Sequence, residues 1–138
     1  MQLYSGSSRK VLVVEDDPAV LELVVTRLAI AGYATFQARN GQEALRRIAE
    51  VAPAAMVLDI NMPVSDGFAV LSQMHRNRQT DDVAVLVLTA RNQPKDVREA
   101  ISLGARDFLA KPFKDEQLLA RVARLFRLPN QGHADVFL

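Results

Sequence analysis

Cysteine is absent from the 138 residues, which excludes disulfides, thiolate metal sites and cysteine catalysis. Histidine is scarce: His75 and His133 lie far apart and make no metal-ligand pattern. Neither charge is in excess, since 17 basic side chains nearly balance 16 acidic ones, so nothing points to a nucleic-acid or membrane surface. No apolar run approaches the roughly 20 residues of a membrane helix, and the polar start (Met1 to Lys10) is not a signal peptide. Internal repeats and low-complexity stretches are also missing. The expectation is a soluble cytoplasmic protein that makes no direct contact with nucleic acid or membrane.

What the chain does have is enough length and apolar content, 49%, for one domain with a real core. Residues 1–9 read as a flexible leader, 10–127 as the domain, and 128–138 as a tail or the start of a linker. Short apolar runs predict strands near 10–15, 34–38, 54–59, 84–89 and 107–110. Helical spacing predicts helices near 18–31, 41–51, 65–77, 94–103 and 115–127. The first has Val20, Leu23, Val24 and Leu28 on one face, Asp17-Pro18 as its opening and Gly32 as its close. The second has a stripe of Leu45, Ile48 and Ala49 with Asn40 as cap, and the last carries Leu118, Leu119, Val122, Leu125 and Phe126. At the start of the last helix Lys114 stands where a capping oxygen is expected. Strands that are apolar on both faces, alternating with helices, predict a five-stranded parallel, doubly wound (flavodoxin-like) sheet in a three-layer α/β/α sandwich.

In such a sheet, ligands bind beyond the carboxyl ends of the strands. Four strand ends carry polar groups: Glu15-Asp16-Asp17 after Val11–Val14, Asp59 after Ala55–Leu58, Thr89-Ala90 after Val85–Leu88, and Lys111-Pro112 after Phe108–Ala110. Parallel strands bring all four ends to one edge. Carboxylates crowded together repel unless a cation intervenes, and Mg²⁺ suits oxygen donors supplied by one or two carboxylates plus phosphate. Asp16 and Asp59 are the expected direct ligands. Glu15 would act directly or through water, and Asn61 would offer its backbone carbonyl. Asp17 is expected to cap the first helix instead. A carboxylate is also a nucleophile toward phosphorus. In that chemistry Lys111 would neutralise a phosphoryl oxygen, while the Thr89 hydroxyl and the Ala90 N–H would donate to others. Lys111-Pro112 is a candidate cis peptide.

The stretches VLVVEDD (11–17), VLDINMPVSDG (57–67), VLVLTA (85–90) and GARDFLAKPF (104–113) resemble the receiver domain of two-component response regulators, in order and spacing, over about residues 9–127. The resemblance implies that Asp59 accepts a phosphoryl group from a histidine kinase or a histidine phosphotransfer protein. It implies Glu15 and Asp16 as the metal-binding acidic pair, Lys111 as the phosphate-binding lysine, and Thr89 with Phe108 as a switch pair. That switch changes the face formed by the fourth helix, fifth strand and fifth helix, and so controls a downstream protein or a covalently linked output domain. It also implies that Asn61 and Arg91 tune phosphoryl lifetime, and that the module is a phosphoacceptor, not an enzyme acting on a separate substrate.

The chain departs from the family pattern at several positions. Phe108 lacks the hydroxyl of the tyrosine many members carry, so output is expected through packing. Asp107 and Arg121 retain one charged pair of the dimer face used by relatives of OmpR type, but Val97, Arg106 and Gln117 do not fit it, and that dimer is not expected. Two other classes fare worse. A phosphatase of the haloacid-dehalogenase type would need an aspartate at the Asn61 position as general acid. A nucleotide or flavin binder would need a glycine-rich loop where Glu15-Asp16-Asp17 stands.

Overall fold

The computed structural model describes residues 9–62, 66–90 and 93–127. The strands are β1 (Lys10–Val14), β2 (Ala34–Ala38), β3 (Ala55–Asp59), β4 (Ala84–Thr89) and β5 (Asp107–Ala110). The helices between them are α1 (Pro18–Ile30), α2 (Gly41–Val51), α3 (Gly67–Arg76), α4 (Pro94–Ser102) and α5 (Asp115–Arg127), with a short 3₁₀ turn at Gln79–Asp81. All strand pairs are parallel and the order is β2-β1-β3-β4-β5. The direction of winding therefore reverses at β1, which opens a crevice between the carboxyl ends of β1 and β3.

Both faces of the sheet are covered, and alternation along each strand divides the core. Leu12, Val14, Met56, Leu58, Val85 and Val87 pack with Ala44 and Ile48 of α2, Leu71 and Met74 of α3, and Ala100 of α4. Val11, Val13, Val57, Leu86, Leu88 and Leu109 pack with Leu21, Val24 and Leu28 of α1 and Leu118, Val122 and Leu125 of α5. Burying one such leucine is worth about 1.5–3 kcal/mol. An edge strand needs less apolar cover, and β2 is accordingly half-buried along most of its length.

Local chemistry sets the helix ends. Asp17 Oδ1 accepts the N–H groups of Ala19 and Val20, with Pro18 in the first turn. Gly32, at φ +102°, ends α1: its N–H reaches the Ala29 carbonyl and that of Tyr33 the Leu28 carbonyl, a Schellman close. Asn40 Oδ1 accepts the Glu43 N–H. At α5 the missing capping oxygen is compensated from inside the helix, where Gln117 Oε1 accepts the Lys114 N–H at 2.9 Å.

Several expectations need correction. The buried face of α1 is Leu21, Val24 and Leu28, whereas Leu23 is 38% exposed and Val20 is half-buried. This helix is apolar on most sides, so its spacing alone cannot single out the core stripe. In α2, Ala44 and Val51 are buried and Ala49 is exposed. β1 stops at Val14, one residue early, and α3 starts at Gly67 because Asp66 caps it. The leader up to residue 8 and the stretch 128–138 lie outside the described residues.

Candidate functional site

Glu15 and Asp59 stand at the crevice mouth, each only 2% exposed, although both are carboxylates. Glu15 leaves β1 with its N–H on the Ala38 carbonyl, and its Oε2 accepts the Asp17 N–H at 3.2 Å. Asp59 ends β3. Its Oδ1 accepts the Asn61 N–H at 3.0 Å, and the next N–H, of Ile60, is held by the Leu88 carbonyl. Asp16 is half-buried beside them. Each of Glu15, Asp16 and Asp59 offers an oxygen, and the three oxygens lie within 4.8 Å of one another.

The lysine comes from the far side of the crevice. Lys111 follows β5, its N–H bonds the Thr89 carbonyl at 2.9 Å, and the Lys111-Pro112 peptide is cis. Its Nζ lies 3.0 Å from Glu15 Oε1 and 3.4 Å from Asp59 Oδ2. The amino group thus brings positive charge within ion-pair distance of both acids. Burial, followed by the hydrogen bond to Asp59, pushes the Glu15 carboxyl up to about 7, against the opposing pull of Lys111. Burial alone would lower Lys111, but its bond to Glu15 and the charge of Asp59 outweigh it and leave the amine above its ordinary value. Three clustered oxygen donors, two of them removed from water, fit a hard divalent cation such as Mg²⁺.

Thr89 ends β4, fully buried, one residue beyond the partner of Asp59 in the ladder. Phe108 pairs in register with Val87, and Thr89 with Ala110. Alternation therefore directs Thr89 and Phe108 to the same face of the sheet. There the half-buried Phe108 ring packs on the α2–α3–α4 side of the core. Ala90 follows Thr89 and is exposed, as is Asn61. Arg91 lies outside the described residues. His75 is exposed on α3.

Spacing alone does not reveal the part played by Gly67. A Cβ there would lie 2.5 Å from the Asp59 carbonyl oxygen and 2.5 Å from Ile60 Cα, and the Gly67 N–H bonds the Ile60 carbonyl at 2.9 Å. The first turn of α3 is thus pressed against the backbone that carries Asp59. Asp66-Gly67 reads in sequence as an ordinary turn and helix start, and only the close approach shows why glycine is needed.

Fold and site together define a parallel α/β module with an acidic, lysine-braced cluster at its switch point. Similarity to known proteins gives the class. The family model for the response regulator receiver domain matches residues 11–123. The transcriptional regulatory protein PrrA of Mycobacterium leprae is 44% identical over 121 residues, covering 88% of this chain and 51% of that protein. The DNA-binding dual master transcriptional regulator RpaA of Synechocystis is 39% identical over 118 residues, covering 86% of this chain and 49% of that protein. Among solved structures, the Vibrio cholerae chemotaxis protein CheY4 superposes with a TM-score of 0.79 at 33% identity, covering 84% of this chain and 97% of that one. The chain belongs to the response regulator receiver domain family. It is a signalling module, and it spans about half the length of these curated relatives. No described helix is long and apolar enough to cross a membrane.

Proposed function

We propose that Asp59 accepts a phosphoryl group from a phosphohistidine of a histidine kinase or phosphotransfer protein, and that this charge resets the α4–β5–α5 face. The observation that carries the reading is the joint placement of Glu15, Asp16, Asp59 and Lys111 at one strand edge. An Asp59 carboxylate oxygen bonds to phosphorus as the donor's phosphorus–nitrogen bond opens. The bonding pair leaves with the imidazole nitrogen, and nothing is oxidised or reduced. The Asn61 N–H orients the nucleophile through Oδ1. Lys111, already beside Asp59 Oδ2, meets the incoming negative charge, and the Thr89 hydroxyl and Ala90 N–H donate to phosphoryl oxygens. Glu15, Asp16 and Asp59, with the Asn61 carbonyl, would hold Mg²⁺, which supplies charge neutralisation for the transfer when bound.

Drawing Thr89 toward the phosphoryl group frees space on the sheet face it shares with Phe108, and the ring moves inward. The reset face then acts on a downstream protein or on a covalently linked output domain. Relatives named as transcriptional regulators, each about twice the length matched, favour the linked form. We place the domain at residues 10–127, working in the cytoplasm. The test is incubation with phosphoramidate or acetyl phosphate and Mg²⁺, read by intact mass. One phosphoryl adduct is expected, absent from Asp59→Asn. An adduct retained on that variant overturns the assignment.

A further inference from the structure

The Phe108 ring and helix α5 lie on opposite faces of the sheet. The ring packs with the α2–α3–α4 layer, whereas α5 buries Leu118, Val122 and Leu125 in the α1–α5 layer. Among the described residues the ring and the buried face of α5 therefore share no core layer, so packing within one layer is not the contact that joins them. The structure provides a polar one. From the edge of α5, Arg121 Nη1 donates to the Phe108 carbonyl at 2.6 Å and lies 3.3 Å from Asp107 Oδ1. The same Oδ1 accepts the Phe108 N–H at 2.8 Å. Both backbone polar groups of Phe108 are thus engaged by Asp107 and Arg121, and Arg124 stands 4.0 Å from the other Asp107 oxygen. The ends of α5 are tied down elsewhere. Asp115 bonds Arg27 of α1 at 2.6 Å, and the Phe126 ring stacks on Tyr33 at 5.3 Å, with the Arg9 guanidinium over Tyr33.

We propose that Arg121 is a positioning residue that transmits the setting of Phe108 to α5, because one guanidinium nitrogen holds both the Phe108 carbonyl and the Asp107 carboxylate. The pair is used within one chain, linking the buried switch to an exposed helix. The proposal deepens the phosphorylation reading and, in its first test, rests on it.

Arg121→Met keeps the stem and removes the donors, while Arg121→Lys keeps donors for the same two oxygens. With phosphoramidate and Mg²⁺, wild-type protein should show amide shifts at Phe108 and along residues 118–126. Arg121→Met should be labelled to the same extent and keep the Phe108 shift, but lose at least half of the α5 shifts, and Arg121→Lys should restore most of them. A merely structural arginine would change stability and leave the pattern intact. Undiminished α5 shifts in Arg121→Met would overturn the proposal and assign the coupling to Leu109 packing. A second measurement needs no phosphate: Phe108→Leu should perturb α5 amides in the wild-type background at least twice as strongly as in the Arg121→Met background. Equal perturbation overturns the proposal. If wild-type protein takes no label, the Asp59 assignment fails, and the Phe108→Leu comparison still decides the role of Arg121.

Discussion

Glu15 is where burial and charge are most directly opposed. Its carboxyl titrates near 4.5 in the unfolded chain and is pushed to about 7 in the folded one. Between those values the native state holds a proton that the unfolded state has released. Metal-free stability should therefore fall as pH rises from about 4.5 to about 7, and level off above it, by on the order of 3 kcal/mol. Lys111 is displaced upward, so its contribution is fully present below its ordinary value of 10.5 and does not slope across that window. Urea unfolding in EDTA at pH 5 and pH 8 measures the difference, and Glu15→Gln should flatten it. A slope unchanged in Glu15→Gln would locate the proton elsewhere. The same linkage requires Mg²⁺ to bind more weakly as pH drops through 7, because the cation competes with that proton. Removing the lysine tests the other half of the balance. Lys111→Met leaves Glu15 and Asp59 without their nearby cation and should cost about 2 kcal/mol or more at pH 8. Saturating Mg²⁺ should recover much of that loss, as read by the urea midpoint with and without the ion.

Among the elements, two backbone positions have opposite requirements. Gly67→Ala would place a methyl 2.5 Å from the Asp59 carbonyl and Ile60 Cα, both backbone atoms that no rotamer change can relieve. It should destabilise the domain by about 2 kcal/mol or more and move the Asp59 amide resonance, checked by urea unfolding and NMR. Ala52, which caps α2 at φ 52°, sits in the left-handed region with a Cβ it does not need. Ala52→Gly should stabilise by about 0.5–1 kcal/mol in the same assay, since glycine adopts that conformation without the steric penalty. These positions also mark how far local sequence is legible. Asp17 and Asn40 are readable as caps because side-chain oxygens stand where orphan N–H groups require them. The α5 cap is not, because its acceptor, Gln117, lies inside the helix. The α1 face misleads for a different reason: Val20, Leu21, Leu23, Val24 and Val25 surround most of the helix, and only the sheet beneath decides which of them is buried.

For the whole molecule, parallel topology makes the candidate site legible. Once all strands point one way, their carboxyl ends share an edge, which puts Glu15, Asp16, Asp59, Thr89 and Lys111 on that edge whatever the register. Register and pairing partners are nonlocal, so the Lys111–Glu15 ion pair and the Arg121 bond to Phe108 could not be read from spacing. Stability is also unevenly spread around the sheet. α5 buries Leu118, Val122 and Leu125 and is tied at both ends. α4 is only 9 residues long, has no side-chain cap bond at Gln93, buries just Asp96 and Ala100, and leaves Ile101 47% exposed. Few buried apolar groups mean a low free energy of local opening. Amides of α4 should therefore exchange with deuterium before those of α5 and well before those of β1, β3 and β4. A protection gap of tenfold or more between α4 and α5 corresponds to about 1.4 kcal/mol. Such a gap would make α4 the loosest part of the face that the proposed switch acts on. Phosphorylation could then remodel that face at low cost, without disturbing the strands that hold Asp59. Equal protection in α4 and α5 would instead require the face to move as one rigid piece, and a phosphoryl group would have to displace both helices together.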